Sequence, residues 1–311
     1  MRNVFSASIL IIMFLFINSC AEKTDNEGTV DEPFDKVVTA IMAENDNLWV
    51  GTDEDGLYMF DGISWTVFKY PESLESNCIS ALEINNDGVL YVGTDMGISS
   101  LENGIWTSIT TDDGLFSNKI YCLDCDDDNI MWIGTRNNRL VKYSDGNFTT
   151  YHVNPEASGP GELGHIHTIF HDPEGNIWVG SCISGLSKFD GEEWTHNIND
   201  ISVFAMFSLS CNNGDLWIGC PTGLYSYSGG VWKRYTQTEG LPCNNVACIA
   251  EDSNHNIWIG TEMGLSKFDG QDFTSYTTAD GLLDNYIMAI AFDNKGDTWI
   301  GSLGGLQKFY Y

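Results

Sequence analysis

Residues 256–270 read Asn-Ile-Trp-Ile-Gly-Thr-Glu-Met-Gly-Leu-Ser-Lys-Phe-Asp-Gly, and variants of this stretch recur along the chain. Its centre, an aromatic residue followed by a β-branched residue and a glycine, occurs seven times at intervals of 39 to 46 residues. A unit of that length has room for four short strands and their turns. The seven glycines are Gly51, Gly93, Gly134, Gly180, Gly219, Gly260 and Gly301.

Each unit divides into four predicted strands, named a to d. In the last unit Tyr286–Phe292 is strand a, Thr298–Gly301 is strand b and Gly305–Phe309 is strand c, and in the unit before it Asp272–Thr277 is strand d. The pair Asp269-Gly270 supplies a two-residue hairpin between strands c and d. We therefore predict an all-β fold, a single seven-bladed β-propeller of four-stranded antiparallel blades. A linear solenoid would need polar capping repeats, which the sequence lacks.

The two ends of the repeat array predict how the ring closes. The seventh unit stops at Tyr311 after strand c, and residues 33–41 align with residues 282–290 at the start of that unit. We expect Gly28–Asp31 to pair with Gln307–Tyr310 and close the ring. Val30 is the only strong strand former in that segment, so the fourth strand of the last blade is expected to be poor or absent.

The first residues resemble an export signal. Arg2 precedes an apolar run of about fourteen residues, too short to span a bilayer but suited to a secretory signal, and the run ends at Ser19-Cys20. We predict a lipoprotein signal peptide at 1–19, an anchor and tether at 20–32 with Cys20 as the lipidation site, and the propeller at 33–311. The protein would then be exported and lipid-anchored at a bacterial cell envelope, on the periplasmic or outer-membrane side. An ordinary cleaved signal with an incidental cysteine is the alternative.

The charge of the chain excludes one class of partner. The sequence has 14 basic and 44 acidic residues, a net charge of −30, which becomes −31 when Arg2 leaves with the leader. Such a field repels nucleic acid and anionic membrane surfaces. We predict contact with the membrane only through the lipid anchor, and no binding of nucleic acid.

The order of the repeat motifs resembles the two-component regulator propeller family. The motifs are Gly-Asn-Ile-Trp-Val-Gly at 175–180, Gly-Leu-Ser-Lys-Phe-Asp-Gly at 185–191 and Asp-Gly-Leu at 280–282, and the resemblance covers residues 33–311. It implies the extracytoplasmic sensor of a hybrid histidine kinase, often one that senses oligosaccharides. Family members commonly have paired propellers, a β-sandwich, a membrane helix and kinase domains, whereas these 311 residues show one ring. We therefore expect the recognition module.

Departures from the repeat are the best candidates for a ligand site. The b–c loop normally reads Thr-x-x-Gly-Leu, but unit three has Thr-Arg-Asn-Asn-Arg-Leu at 135–140, with two of the three arginines of the mature chain. The same unit has the longest d–a connection, 152–165. Both segments lie on one face of a propeller, where two arginines can bind a carboxylate or a polar sugar edge. Charge balance against acids such as Asp53 is the alternative. The candidate ligand-binding residues are Arg136, Asn137, Asn138, Arg139, His152, His165 and His167.

Metal sites are weaker alternatives. His165 and His167 share a face of a strand, but His171 lies about 13 Å beyond His167, too far for one ion. Two histidines with Glu162 remain an alternative, as does calcium at Asp124 and the turn acids 126–128. We predict no metal.

The cysteines predict little chemistry. Most of the eight that follow Cys20 fall on core positions, and the first pair to check for a disulfide is Cys182 and Cys220.

Three functions are consistent with the sequence. The first is a non-catalytic recognition or sensor-type module for a glycan or another polar ligand. The second is a scaffold or adhesin that binds another protein, and the third is a lyase or hydrolase that uses residues near 152–171. The sequence has no nucleophile elbow, phosphate-binding loop or zinc-protease motif, so we expect no catalytic residues and no cofactor.

Overall fold

The structure is a computed structural model and describes residues 34–155, 164–172, 174–182, 184–196, 198, 208–212 and 215–310. Blades one and two comprise β1 (Val38–Glu44), β2 (Asn47–Thr52), β3 (Leu57–Phe60), β4 (Trp65–Phe68), β5 (Ile79–Ile84), β6 (Leu90–Thr94), β7 (Ile98–Glu102) and β8 (Ile105–Ile109). Blades three and four comprise β9 (Ile120–Cys125), β10 (Met131–Thr135), β11 (Arg139–Ser144), β12 (Asn147–His152), β13 (Ile166–His171), β14 (Ile177–Ser181), β15 (Gly185–Phe189) and β16 (Trp194–Thr195). Blades five to seven comprise β17 (Ser208–Asn212), β18 (Asp215–Cys220), β19 (Gly223–Ser228), β20 (Val231–Tyr235), β21 (Val246–Glu251), β22 (Ile257–Thr261), β23 (Gly264–Phe268), β24 (Phe273–Tyr276), β25 (Ile287–Phe292), β26 (Thr298–Ser302) and β27 (Gly305–Phe309).

These strands form seven separate antiparallel sheets, each with its strands in chain order. The first strand of every sheet contacts the first strand of the next, and β25 contacts β1, so the sheets form a closed ring with the a strands innermost. The predicted seven-bladed all-β propeller is therefore confirmed. Predicted strands a, b and d of the last two units differ from β25, β26 and β24 by one residue at an end, and strand c agrees with β27.

The last blade has three strands in the part of the chain that the structure describes. Its outer strand β27 is joined to the N-terminal side of the ring by an antiparallel bridge between Phe34 and Leu306, in which the Leu306 N–H donates to the Phe34 carbonyl at 3.0 Å. The two ends of the array thus meet at the predicted blade. The segment predicted to pair with it, Gly28–Asp31, lies outside the described residues.

The glycine of strand b is required by the close approach of neighbouring strands. A Cβ atom on Gly134 would lie 2.2 Å from Sγ of Cys122 in the same blade and 2.9 Å from Ile166 in the next. Gly260 meets Cys248 at 2.3 Å in the same way. A side chain at this position would push the a strands away from strand b, so the repeated glycine sets the distance between blades.

The a–b turn explains why strand b carries tryptophan. In four blades an aspartate at the end of strand a accepts a hydrogen bond from the indole Nε1 of the tryptophan six residues later, at 2.8 to 3.2 Å. The same carboxylate accepts backbone N–H groups of the turn, as Asp252 does from Asn254 and Asn256. The residue pairs are Asp126 and Trp132, Asp172 and Trp178, Asp252 and Trp258, and Asp293 and Trp299.

The core lies between blades rather than inside them. Ile41 and Val50 of blade one pack in one cluster with Ala289 and Ala291 of blade seven. Most strand-b tryptophans are buried, and those of strand d are half-buried beside other aromatic rings, as Trp65 is against Phe60. The tryptophans are thus packing residues, as their periodicity predicts.

Strand a begins with a β-bulge in six blades, where one residue falls out of the pairing with strand b. The bulged residues lie beside the start of the next a strand. Thr39 Oγ1 donates a hydrogen bond to the Ile79 carbonyl at 2.8 Å, and Ser80 Oγ donates one to the Ile120 carbonyl at 2.9 Å. The bulge thus turns one side chain per blade toward its neighbour near the axis. The bulged residues are Thr39, Ser80, Tyr121, His167, Ala247 and Met288.

Two d–a connections that the structure describes in full contain a single 3-10 turn, Thr111–Asp113 and Thr278–Asp280. In the first, Asp113 accepts the backbone N–H of Thr110, and Gly114 follows with a φ of 111°, a left-handed conformation that glycine adopts without strain. Buried Leu115 then anchors the loop, which explains the Asp-Gly-Leu motif. Within the described residues, no helix has the length and apolar character needed to cross a bilayer.

Candidate functional site

The b–c loops and the d–a connections lie on the same face, and their axis-facing residues form a ring that we call the mouth. The mouth consists of the residue before each a strand and the first residue of each b–c loop. Backbone hydrogen bonds join these positions within a blade, as in Asp53 to Val37 and Cys182 to His165. Its described members are Val37, Cys78, Lys119, His165, Asn245 and Tyr286 before the a strands, and Asp53, Asp95, Arg136, Cys182, Pro221, Glu262 and Leu303 in the loops.

The charges of the mouth are distributed unevenly. Blades one and two contribute Asp53 and Asp95, with Glu54 adjacent, whereas Lys119 and Arg136 both belong to blade three. Burial, with the charges of Glu54 and Asp95, raises the pKa of Asp53 to about 6. The mouth therefore has an acidic side and, around blades three and four, a cationic side.

The b–c loop of blade three holds the cationic side in place. Where other units use a left-handed glycine, this loop places Asn137 and Asn138 at φ of 61° and 52°, and the Thr135 hydroxyl donates to the Arg139 carbonyl at 3.0 Å. The side chain of Asn138 is buried, donating to Ser184 Oγ at 2.9 Å and accepting from Ser181 Oγ at 2.6 Å. Its amide thus ties blade three to blade four instead of facing a ligand.

Arg136 and His165 meet at the mouth. The two residues form an antiparallel bridge between blades three and four, and Arg136 is exposed. The imidazole of His165 stacks on the ring of Tyr121, with centroids 4.5 Å apart and planes inclined by 17°. His167 lies behind this stack, 5.8 Å from His165, and is 1% exposed. Together these residues place the exposed Arg136 beside the half-buried imidazole of His165, with Tyr121 and His167 buried behind it.

The ionisation states of this cluster follow from burial. Burial, with the charge of Lys119, lowers the pKa of His165 below its usual value. Burial lowers the pKa of His167 to about 3, with a further contribution from His165. Burial also raises the pKa of the Tyr121 phenol to about 12. At neutral pH both imidazoles and the phenol are therefore neutral, and Arg136 carries the charge.

Arg139 and His152 form a second, outer group. They face one another in the pairing of β11 with β12, and the Arg139 guanidinium lies 5.5 Å from the centroid of the Phe116 ring. The seven predicted residues thus belong to blade three or to the start of blade four. They divide into an inner group at the mouth (Arg136, His165, His167), an outer group (Arg139, His152) and the loop asparagines Asn137 and Asn138.

His171 and Asp126, which belong to the metal alternatives, have other partners in the structure. His171 lies apart from His165 and His167 and is hydrogen-bonded to Asp124 through Nδ1. Among the described residues, no three His, Cys, Asp or Glu side chains converge as a metal site would require, and Glu162 lies outside them. Asp126 is occupied by the turn N–H groups and Trp132.

The cysteine pair that the sequence suggested is not joined. Both Cys182 and Cys220 are free thiols, the former accepting the His165 N–H at 3.2 Å and the latter donating to the Gly223 carbonyl at 3.3 Å.

A buried acid–base cluster crosses the inner strands of blades two to four. Asp124 of β9 pairs with His171 of β13, and Glu83 of β5, 5% exposed, is electrostatically coupled to Asp124 and leaves Oε2 without a hydrogen-bond partner. Burial and the charge of Asp124 raise the pKa of Glu83 well above its usual range. Burial opposes protonation of His171, but the hydrogen bond and charge of Asp124 outweigh it and raise its pKa.

Four segments of the chain match a known repeat family. The sequence profile of the two component regulator propeller matches residues 114–137, 161–182, 240–263 and 281–304, each of which includes a strand a and the start of a b–c loop. The chain carries two-component regulator propeller repeats. No curated protein matches the sequence significantly.

Solved structures similar to this propeller include lyases and an extracellular domain of a putative hybrid two component system. A streptogramin B lyase is 15% identical, with a TM-score of 0.73 over 90% of this chain and 95% of that chain. Virginiamycin B lyase from Staphylococcus aureus is 12% identical, with a TM-score of 0.72 over 89% and 97%. The extracellular domain of a putative hybrid two component system from B. thetaiotaomicron is 20% identical, with a TM-score of 0.53 over 92% of this chain and 52% of that chain. At these identities the likeness shows the fold alone.

Several residues of the regulator propeller were not predicted as functional. Lys119 belongs to the mouth, and Tyr121 is buried behind His165. The signal for Tyr121 is its place among the bulged residues, where a tyrosine and a histidine stand beside small ones. Glu83 was also missed, and Asp124 was named only among the acids of the calcium alternative. They occupy the repeat position held by Met42 and Ala291 in other blades, so aligning the a strands would have shown them.

Proposed function

We propose that this regulator propeller is a non-catalytic recognition module that binds a polar ligand, such as a glycan, on the cationic side of its mouth. The observation that carries the proposal is the exposed Arg136 beside the stacked Tyr121 and His165. A guanidinium donates several hydrogen bonds in a fixed plane, and an aromatic surface packs against the apolar face of a sugar ring. The acidic side of the same mouth orients a ligand by repulsion.

Two further considerations support a sensor role outside the cytoplasm. The repeat family is named for two-component regulators, and a structurally similar protein is the extracellular domain of a putative hybrid two component system. The apolar N-terminal run that ends at Cys20 agrees with export and lipid anchoring. Labelling of cells with a radioactive fatty acid tests the anchor, which is expected to appear on the wild-type chain and to be lost in Cys20→Ser.

Thermal unfolding in the presence of an oligosaccharide panel tests the site. A ligand that binds only the folded protein stabilises it by about 2.7 kcal/mol at a hundredfold excess over Kd. The shift is expected to be lost in Arg136→Ala and kept in Arg234→Ala, which removes the same charge from an exposed site on β20 of blade five. A shift that both variants lose equally, or keep equally, places the ligand elsewhere. No shift across neutral and acidic sugars refutes the proposal.

The same samples distinguish binding from catalysis. The mouth contains the neutral imidazole of His165, a group capable of general base chemistry, and the neutral His167 and Tyr121 lie buried behind it. Mass spectrometry of each stabilising ligand after incubation is expected to recover it unchanged. A cleaved or eliminated product that disappears in His165→Gln would instead make the protein an enzyme.

A further inference from the structure

We propose that the same face carries a second, independent surface at blades six and seven that docks a basic, amphipathic segment of a partner protein. The surface, called the six–seven patch, consists of Met263 in the b–c loop of blade six, Leu283 in the following d–a connection and Leu303 in the b–c loop of blade seven. These side chains are 57%, 38% and 45% exposed. The proposal goes beyond ligand binding at the mouth and does not depend on it.

Exposed apolar residues are concentrated on this face. In the described chain, eleven large apolar side chains are exposed, and six of them belong to b–c loops or d–a connections. The c–d hairpins at the opposite face contribute three, Ile63, Ile105 and Val231, one in each of three separate blades. An isolated exposed apolar residue needs no explanation, whereas neighbouring ones mark an interaction site.

The three residues of the six–seven patch belong to adjoining loops. A Cβ atom on Gly304, next to Leu303, would lie 3.4 Å from Cγ of Leu283. Glu262, next to Met263, is hydrogen-bonded to Tyr286 at the end of the connection that contains Leu283. The Leu283 N–H donates to the Gln307 side chain, which fixes this connection on blade seven. The three apolar residues are therefore presented by adjoining loops that the scaffold holds together.

The charges around the patch indicate the chemistry of its partner. The loops of this quadrant, residues 236–245, 262–263, 277–286 and 303–304, contain Glu239, Glu262, Asp280 and Asp284 and no lysine or arginine. Met263 and Leu283 each have a carboxylate as the adjacent residue. A segment that presents apolar side chains flanked by lysine or arginine complements this pattern, and an acidic segment is repelled.

A designed peptide provides the probe. The fluorescent peptide has about 18 residues, enough for five helical turns, with leucine on one face of the helix and lysine on the other. Its binding to the full chain is followed by fluorescence anisotropy. The triple variant M263S/L283S/L303S is expected to weaken binding at least tenfold. The matched triple I63S/I105S/V231S removes three exposed apolar residues from the c–d hairpins and is expected to change binding less than twofold.

Two further arms separate the alternatives. Arg136→Ala is expected to leave peptide binding unchanged while removing ligand binding at the mouth, so the failure of one proposal does not hide the other. A peptide with serine in place of leucine is expected to bind at least tenfold more weakly. Equal binding of the serine peptide means non-specific charge attraction and overturns the proposal. It is also overturned if the leucine–lysine peptide does not bind, or if the two triple variants weaken binding equally.

Discussion

Replacing Glu83 with glutamine is expected to stabilise the propeller at neutral pH. The stabilisation is expected to be smaller at pH 5. The folded state favours the protonated form of this buried carboxyl, because burial and the charge of Asp124 raise its pKa well above the ordinary value. The unfolded chain ionises it near its ordinary value of 4.5. A carboxyl whose folded pKa is raised does not reduce the stability of the protein below the unfolded pKa. Its destabilising contribution grows as the pH rises from the unfolded pKa to the folded pKa.

The magnitude follows from this linkage. Each pH unit over which the unfolded carboxyl is ionised and the folded one is protonated costs about 1.4 kcal/mol. The wild type therefore loses stability through this residue as the pH rises from 5 toward the folded pKa, by at most about 1.4 kcal/mol per pH unit. A glutamine at this position does not titrate, so the variant does not have this loss. Any fixed cost of burying the amide shifts the difference by a constant and leaves its pH dependence unchanged.

Urea unfolding followed by tryptophan fluorescence at pH 5, 6, 7 and 8 measures the effect. The free energy of unfolding of Glu83→Gln, minus that of the wild type, should rise from pH 5 toward neutral pH, by at most about 1.4 kcal/mol per pH unit. Glu102→Gln is the matched control, because it removes the same group from the exposed end of β7. A difference for Glu83→Gln that is constant with pH, like that of the control, would show that Glu83 is ionised in the folded protein and would refute the reasoning.

Three more predictions concern the buried histidine, the a–b turn and the strand-b glycine. Burial lowers the folded pKa of His167 to about 3, so the protein loses stability through this residue as the pH falls below 6.5. The variant His167→Met, which introduces the residue found at the equivalent position Met288, does not titrate. In acid unfolding it should lose less stability than the wild type, by about 1.4 kcal/mol per pH unit between pH 6 and pH 4. Asp252→Ala removes the acceptor of the Trp258 indole and of two turn N–H groups and should cost about 2 to 3 kcal/mol in urea unfolding, whereas Asp269→Ala in an exposed hairpin should cost less. Gly260→Ala places a Cβ 2.3 Å from Cys248 and should lower the free energy of unfolding by about 1 to 3 kcal/mol. Adding Cys248→Ala should recover part of this loss. No recovery in the double variant would contradict a steric cause.

The sequence predicted the fold because each repeat is locally consistent. A glycine that no side chain can replace, an aspartate that binds its own turn and a tryptophan six residues later recur at fixed offsets, so one unit predicts the others. The meeting of the two ends of the array was also predictable, since the last unit lacks its own strand d. The bridge itself lies at Phe34 and Leu306.

The site was predictable only in part. Departures in sequence located the junction of blades three and four, because a loop with two arginines breaks the repeat. The roles of its residues depend on contacts between units that no single repeat contains. Asn138 is buried by Ser181 and Ser184 of the next blade, and Tyr121 is brought to the mouth by a bulge and covered by His165. Such neighbours lie about one repeat length away in the chain.

The bulge of strand a allows the residues near the axis to vary without a change in strand pairing. Six blades make the same bulge with six different residues, from Ala247 to Tyr121. A bulged residue stands outside the strand ladder, so its codon can change while every backbone pairing is kept. After repeat duplication, these positions let copies diverge one at a time under selection. A mutagenesis library restricted to the six codons would measure how much side-chain variation these mostly buried positions accept while the strand pairing is kept.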